Sequence, residues 1–382
     1  MTASETSPRV TLRSGTPKAN ARKSHRNCAA RRPSIAFDSR TPQFFGRELL
    51  AMAVQTREKR LDEAVTYWRE SGFPYPQLTS DEVEREFTLV RRGSTREAFS
   101  GGVLGGATTG LRLANSFHPQ MWHVRSQQHQ RTPADYFQDD TRLRQLLARA
   151  PRFWPNRRCW NSQCLRSLFR IYSSGRVANF RPLVARAIID RFSPPGGRVL
   201  DYCAGFGGRL LGSLVLDRHY IGIDASELQV QGLKKMWNAL RVMARGTAEL
   251  HHARAEDFLF KIPAHSIDLV FSSPPFFDTE LYGSDSAQSA LRYPKYQDWL
   301  RHFLEVIIVE ARRVLRPEGI FIINIADSRR RSLSADTLRV ATPIFGAPSV
   351  IRMIMHSRPV QRAERTQTFR WEPIYVFRNS FR

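Results

Sequence analysis

Apolar positions along this chain change period several times, and the changes mark its elements. Over residues 56–72 (TREKRLDEAVTYWRESG) apolar side chains recur at helical spacing until a glycine closes the pattern. Residues 80–90 (SDEVEREFTLV) begin with a capping serine and put acids in the first turn, where the helix dipole favours them. The spacing predicts further helices over 133–150 and 183–192, the second stopped by the breaker SPPGG. Beyond Gly197 the period switches. Short apolar runs in VLDYC (199–203), YIGID (220–224), IDLVFSS (267–273) and GIFIINIAD (319–327) alternate with helical patterns. Those patterns run from Gly208 to about Leu216, from Glu227 to about Met243, and over 296–315. This order predicts an α/β fold, a Rossmann-like, doubly wound, mostly parallel sheet behind a mainly helical N-terminal region. VIRMIMH and EPIYVFRN near the end read as an antiparallel hairpin closing the sheet.

The pattern divides the chain into three segments. Residues 1–43 lack apolar periodicity, and the first forty hold nine Lys and Arg against two acids. They read as a disordered basic arm touching phosphates, as an organelle transit peptide, or as sequence upstream of a start at Met52. Residues 44–175 form the helical region, and 176–382 the sheet domain. Within the first of these, the glycine-rich residues 100–110 read as a mobile turn; a phosphate loop would end in GK[ST]. Arg, Trp and Phe interleave in RFWPNRRCWN (152–161), a pattern able either to stack on unpaired bases or to fill a small core. His118 and His123 lack an acid at metal spacing and read as structural.

Charge narrows the partner. The chain of 382 residues carries 59 Lys+Arg against 35 Asp+Glu, a net charge of +24, which fits a polyanion such as nucleic acid. No apolar run approaches the ~18 residues of a spanning helix, so no membrane partner is expected; the cysteines read as reduced thiols, which makes a cytoplasmic location the expectation. The four cysteines, Cys28, Cys159, Cys164 and Cys203, have neither zinc-site nor disulfide-framework spacing, so no metal is expected.

The candidate chemistry follows the strands. Asp201 ends the first apolar run, and Ala204, Gly205, Gly207 and Gly208 form a turn that brings backbone N–H groups and a helix N-terminus toward a ligand. A dinucleotide enzyme would prefer glycine where this chain has Leu210. It would also leave Asp201 idle, whereas an amino-acid ammonium group would use it. Asp224, at the end of the second run, is placed to accept two ribose hydroxyls. Asp257, with Glu256 as the alternative, is expected near an adenine amine and Phe258 against its ring. These positions resemble those of class I S-adenosylmethionine-dependent methyltransferases, over roughly residues 177–325, which implies S-adenosylmethionine as cofactor. Ser273, Pro274, Pro275 and Phe276 resemble the [Asn/Asp/Ser]-Pro-Pro-[Tyr/Phe/Trp] motif of amino-methyltransferases acting on adenine N-6 or cytosine N-4. The serine form is typical of the cytosine enzymes. Asn179-Phe180-Arg181-Pro182 resembles a second motif of that group, which implies that Phe180 packs on the methionine end of the cofactor.

The resemblance implies a DNA methyltransferase acting on a flipped base, cytosine N-4 favoured, as in restriction-modification systems. RNA base methylation and a non-catalytic DNA-binding protein are the alternatives. The chemistry suits the motif. An exocyclic amine is a poor nucleophile because its lone pair is delocalised into the ring, and acceptors at Ser273 Oγ and the Pro274 carbonyl would draw it back toward pyramidal nitrogen. Phe276 would stack on the base. Asp278 and Glu280 are candidate proton acceptors. Carbon-5 methylation would need a Pro-Cys dipeptide, which the sequence lacks. Target recognition is expected in residues 44–175, in the loop 283–295, or in the tail 328–382, which has eleven arginines and three acids.

Overall fold

The computed structural model describes residues 45–95, 99–100, 103–104, 107–125, 130–173, 177–278, 282, 287–328, 331–355 and 370–380. The basic arm, Glu280 and most of the first half of the 283–295 loop lie outside them. Thr41–Arg382 form one compact unit. The boundary expected between residues 175 and 176 falls inside it.

The apolar runs become the strands β3 (Gly197–Asp201), β4 (Arg218–Asp224), β6 (Ile267–Ser272) and β7 (Leu315–Asn324), joined by β5 (Thr247–His252). They lie parallel in the order β5-β4-β3-β6-β7. The terminal hairpin closes this sheet as the pattern predicts. β9 (Arg370–Arg378) runs antiparallel between β7 and β8 (Ser349–Met355). Because strand side chains alternate between faces, each strand feeds two cores. Val199, Tyr220, Leu269 and Ile322 point to one, with Ile188, Leu211 and Leu233 of the covering helices. Leu200, Ile221, Val270 and Phe321 point to the other, with Ile308 and Ala341. Neighbouring connections leave β3 in opposite directions, and such a switch point opens a crevice at the carboxyl ends of the strands.

Two local expectations are revised and two elements are added. The helix predicted over 133–150 is two, Pro133–Gln138 and Asp140–Phe153, because Asp139 turns extended and its carboxylate caps the second through Arg142 N at 3.0 Å. The glycine-rich segment is not simply a turn: β1 (Phe99–Ser100) and β2 (Val103–Leu104) form a short hairpin, with β2 parallel to β8 at the sheet edge. β5 is an added strand: TAELHH lies at the sheet edge with no buried side chain, and its only apolar residues, Ala248 and Leu250, make too short a run to stand out in the sequence. Helix Leu333–Phe345 was also unread, although Leu333, Thr337, Ala341 and Phe345 repeat at four-residue spacing and are buried.

The helical region is divided. Its own core gathers Trp68, Trp122, Trp160, Leu165 and Phe169. Helices Ser80–Arg92 and Leu111–Ser116 instead send Phe87, Val90, Leu113 and Ala114 into the sheet's core.

Candidate active site

The glycine turn is built by backbone need. Gly205 and Gly207 have φ of +57° and +74°, the left-handed region that favours glycine. Gly208 is required by close approach, since a Cβ there would lie 1.8 Å from the Phe180 carbonyl oxygen. Asn179 holds the two segments together. Its Oδ1 accepts from Gly208 N at 3.2 Å, while its Nδ2 lies 2.9 Å from both the Phe206 carbonyl and Asn115 Oδ1. Helix Gly208–Leu214 starts at this turn, and Ala204, buried, is tied to Ile223 by a main-chain hydrogen bond.

Asp224 reaches the turn from the end of β4. Its Oδ2 accepts from Gly205 N at 2.8 Å and its Oδ1 from Ser226 N at 2.9 Å. The carboxyl is half-buried, and desolvation pushes its pKa up to about 6 against the pull of those two N–H groups. It remains next to the turn's open face, where a Cβ at Gly205 would meet only the Cys203 carbonyl, 3.9 Å away. The arrangement suits an acceptor for a pair of hydroxyls.

Asp201 departs from expectation. Its side chain is fully buried and paired with Arg209, Nε to Oδ2 at 2.7 Å and Nη2 to Oδ1 at 3.2 Å. Tyr220 OH and Ser272 Oγ donate to the same carboxylate, each at 2.7 Å. Fully buried, and with at least two internal donors on each oxygen where each Asp224 oxygen has one, Asp201 fastens the turn to β4 and β6 and is not presented to a ligand's ammonium group. Arg209, Tyr220 and Ser272 went unread, yet a lone arginine in the apolar run GRLLG was the available signal. Burial, with Asp224 and Asp201 nearby, pushes the Cys203 thiol well up, which suits packing rather than nucleophilic chemistry.

Phe180 stands between the turn and the sheet, half-buried, edge-on to Phe271 at 5.4 Å and under the Arg209 guanidinium at 5.4 Å. In the short helix after β5, Asp257 is exposed, and its Oδ2 is held by Arg254 and by Arg292 at 3.2 Å. Phe258 lies 4.5 Å from the His251 ring. Glu256, the alternative acid, is buried; Oε1 has no hydrogen-bond partner among the described residues, and burial raises its pKa.

β6 delivers the second motif. Ser273 Oγ donates to the Asn324 carbonyl at 3.1 Å, with Asn324 Oδ1 at 3.4 Å. Asn324 is itself buried and anchored by Nδ2 to the Pro373 carbonyl at 3.1 Å. A hydroxyl whose proton is committed in this way turns its lone pairs elsewhere, so the contact favours Ser273 as an acceptor. The Pro274 carbonyl accepts no hydrogen bond among the described residues. Pro275 and Phe276 are half-buried, and Asp278 is exposed. Phe277, also unread, has φ +54° and is buried against Tyr296 (5.2 Å) and Trp299 (5.7 Å). That left-handed residue turns the chain immediately after Phe276. The shared Asp201–Ser272 contact therefore links the two motifs: the residue before Ser273 is bonded to the acid that opens the glycine turn.

The cysteines within the described residues, Cys159, Cys164 and Cys203, are free thiols, and no group of His, Cys, Asp or Glu among those residues could hold a metal. No described helix is long and apolar enough to cross a membrane.

Strand order, the reversed β9 and the position of the glycine turn define the Rossmann-like architecture of class I methyltransferases. No family profile matches the chain. A tRNA1(Val) (adenine(37)-N6)-methyltransferase of Dyadobacter fermentans is 28% identical over 128 residues, covering 33% of this chain. The chain spans about half, 49%, of that curated relative's length. Among solved structures, TrmN of Thermus thermophilus is similar with a TM-score of 0.37 and 16% identity, over 52% of this chain and 49% of that one. A SAM-dependent O-methyltransferase of Thermotoga maritima gives 0.35 and 14%, over 54% and 68%. The tRNA (m1A58) methyltransferase TrmI of Aquifex aeolicus gives 0.35 and 12%, over 53% and 70%.

Proposed function

We propose that the protein transfers a methyl group from S-adenosylmethionine to the exocyclic amine of a base in RNA, with adenine N-6 the first choice of acceptor. The observation that carries this reading is Ser273, on the strand end beside the glycine turn, with its hydroxyl proton given to Asn324. The relative's printed activity on a tRNA adenine supports the choice of RNA and of adenine. Cytosine N-4 in DNA is the second reading, carried by serine at the first position of the motif.

The residues fit the cofactor in part. Asp224 suits the ribose hydroxyls, and the open face at Gly205 admits a ligand against the backbone. Asp257 Oδ1, with no partner among the described residues, is left for an adenine amine, with Phe258 beside it. Asp201 does not fit the ammonium group. The cofactor, when bound, supplies an electrophilic methyl on its sulfonium. Ser273 Oγ and the Pro274 carbonyl accept the two amine hydrogens and direct the nitrogen lone pair out of the ring plane. Phe276 flanks the base, Asn324 fixes Ser273, and proximity supplies much of the rate. Asp278, exposed just beyond the motif, is available to take the released proton.

The test is product analysis. The protein is incubated with methyl-labelled S-adenosylmethionine and, separately, with mixed tRNA and mixed-sequence DNA, and each is digested to nucleosides. N6-methyladenosine from tRNA is expected. Label confined to N4-methylcytosine in DNA would restore the second reading, and no labelled nucleoside would overturn both. Ser273→Ala should lower turnover by about 100-fold, the scale of losing a positioned acid–base or acceptor group, with cofactor affinity little changed.

A further inference from the structure

Residues 141–189 contain eleven arginines and no lysine, aspartate or glutamate. The structure sorts these arginines by use. Arg142 and Arg144 are taken by Asp139, Asp62 and Glu58. Arg166, Arg181 and Arg186 reach main-chain carbonyls of Pro74, Ile354, Val90 and Gly93. Arg149, Arg152 and Arg157 are exposed, and none of them meets a carboxylate among the described residues.

The aromatics divide in the same way. Trp160 and Phe169 fill the helical core. Phe153 does not: it is 44% exposed at the end of its helix, with its ring 5.7 Å from Trp154 and 6.2 Å from Tyr172. The Arg149 guanidinium lies 4.8 Å over the Tyr172 ring. Arg149, Arg152 and Phe153 stand at i, i+3 and i+4 and so share one helix face. A surface of rings and guanidinium groups that meet no carboxylate among the described residues suits an anion that also offers π-faces. Bases in a duplex are stacked on one another, so the surface fits an unpaired strand.

We infer that Arg149, Arg152, Phe153, Trp154, Arg157 and Tyr172 form a platform for single-stranded RNA next to the base being modified. This rests on the proposed methyl transfer to RNA. Tyr172 precedes Asn179, which holds the glycine turn, by seven residues, so the platform's edge lies within about 25 Å of the turn by chain reach alone. A strand whose target base occupies the site can continue onto it.

Anisotropy of a fluorescent single-stranded RNA, titrated with the full chain across a range of salt, tests the inference. Phe153→Ala should weaken binding about tenfold, the scale of losing one base–aromatic stack. The Arg149→Ala, Arg152→Ala pair should weaken it and lower the slope of log affinity against log salt by about 1.4, or ~0.7 for each lost phosphate contact on a single strand. A purely structural role would leave that slope unchanged. Because all three side chains are exposed, far-ultraviolet circular dichroism should not change. Unaltered affinity and slope would overturn the platform, as would tighter binding of an equal-length DNA duplex by the wild type. Calorimetry with S-adenosylmethionine separates the two ideas: RNA binding that responds to these substitutions without cofactor binding would keep the platform and remove the methyl-transfer reading.

Discussion

Asp201 was legible as an important acid and illegible in its role. A sequence places a carboxylate at a strand end, but whether it faces the crevice or the interior depends on whether a buried cation reaches it. Here Arg209, eight residues on, does. Asp224, with only backbone donors, stays at the crevice. The same distinction separates Ser272, bonded inward to Asp201, from Ser273, held by Asn324. Breaking the buried pair is therefore expected to cost stability before it costs chemistry. Arg209→Met should lose about 3–5 kcal/mol in urea denaturation, the scale of leaving one partner of a buried pair uncompensated. Replacing Asp201 as well should not restore the loss, because Tyr220 OH and Ser272 Oγ would then be donors without an acceptor. Recovery in the double variant would show that the network is no more than an ion pair.

Elements were legible where period and burial agree, as in β3, β4, β6 and the closing hairpin. Hidden were single residues whose role depends on a contact with a segment distant in the chain. Gly232 is an example. Glycine inside helix Glu227–Leu240 costs about 1 kcal/mol relative to alanine, so propensity alone would favour substitution. The structure explains the glycine: a Cβ would lie 2.4 Å from two atoms of the His118 ring and 2.8 Å from the Phe117 carbonyl. His118, predicted to be structural, is fully buried there, edge-on to Phe206 of the glycine turn at 5.6 Å. Gln120, two residues on, bonds the same helix through Gln229. Gly232→Ala should thus destabilise by about 1–3 kcal/mol, the range for overpacking a close contact, when followed by chemical denaturation. A gain of stability would mean that helix propensity outweighs the clash and that this contact is slack.

At the scale of the whole molecule, buried His118 and half-buried Asp224 oppose one another as pH changes. Burial pushes the His118 pKa down to about 3 and that of Asp224 up to about 6. For His118 the folded value lies below the unfolded one, so its contribution is present above about 6.5 and is lost as pH falls toward 3. For Asp224 the folded value lies above the unfolded 3.8, so its contribution is full below 3.8 and is lost as pH rises through 6. Between pH 4 and 6 the unfolded chain gains a proton at His118 and the folded chain holds one at Asp224. Their slopes cancel. Removing the carboxyl unmasks the histidine: Asp224→Asn should lose stability relative to wild type as pH falls from 6 to 4, by about 1.4 kcal/mol per pH unit, the value of one proton. Other titrating groups are common to both proteins and drop out of the difference. Urea denaturation of the pair at half-unit steps measures it. Parallel curves would place the Asp224 pKa near that of an ordinary carboxyl and remove the argument that burial beside the glycine turn holds this acid partly protonated.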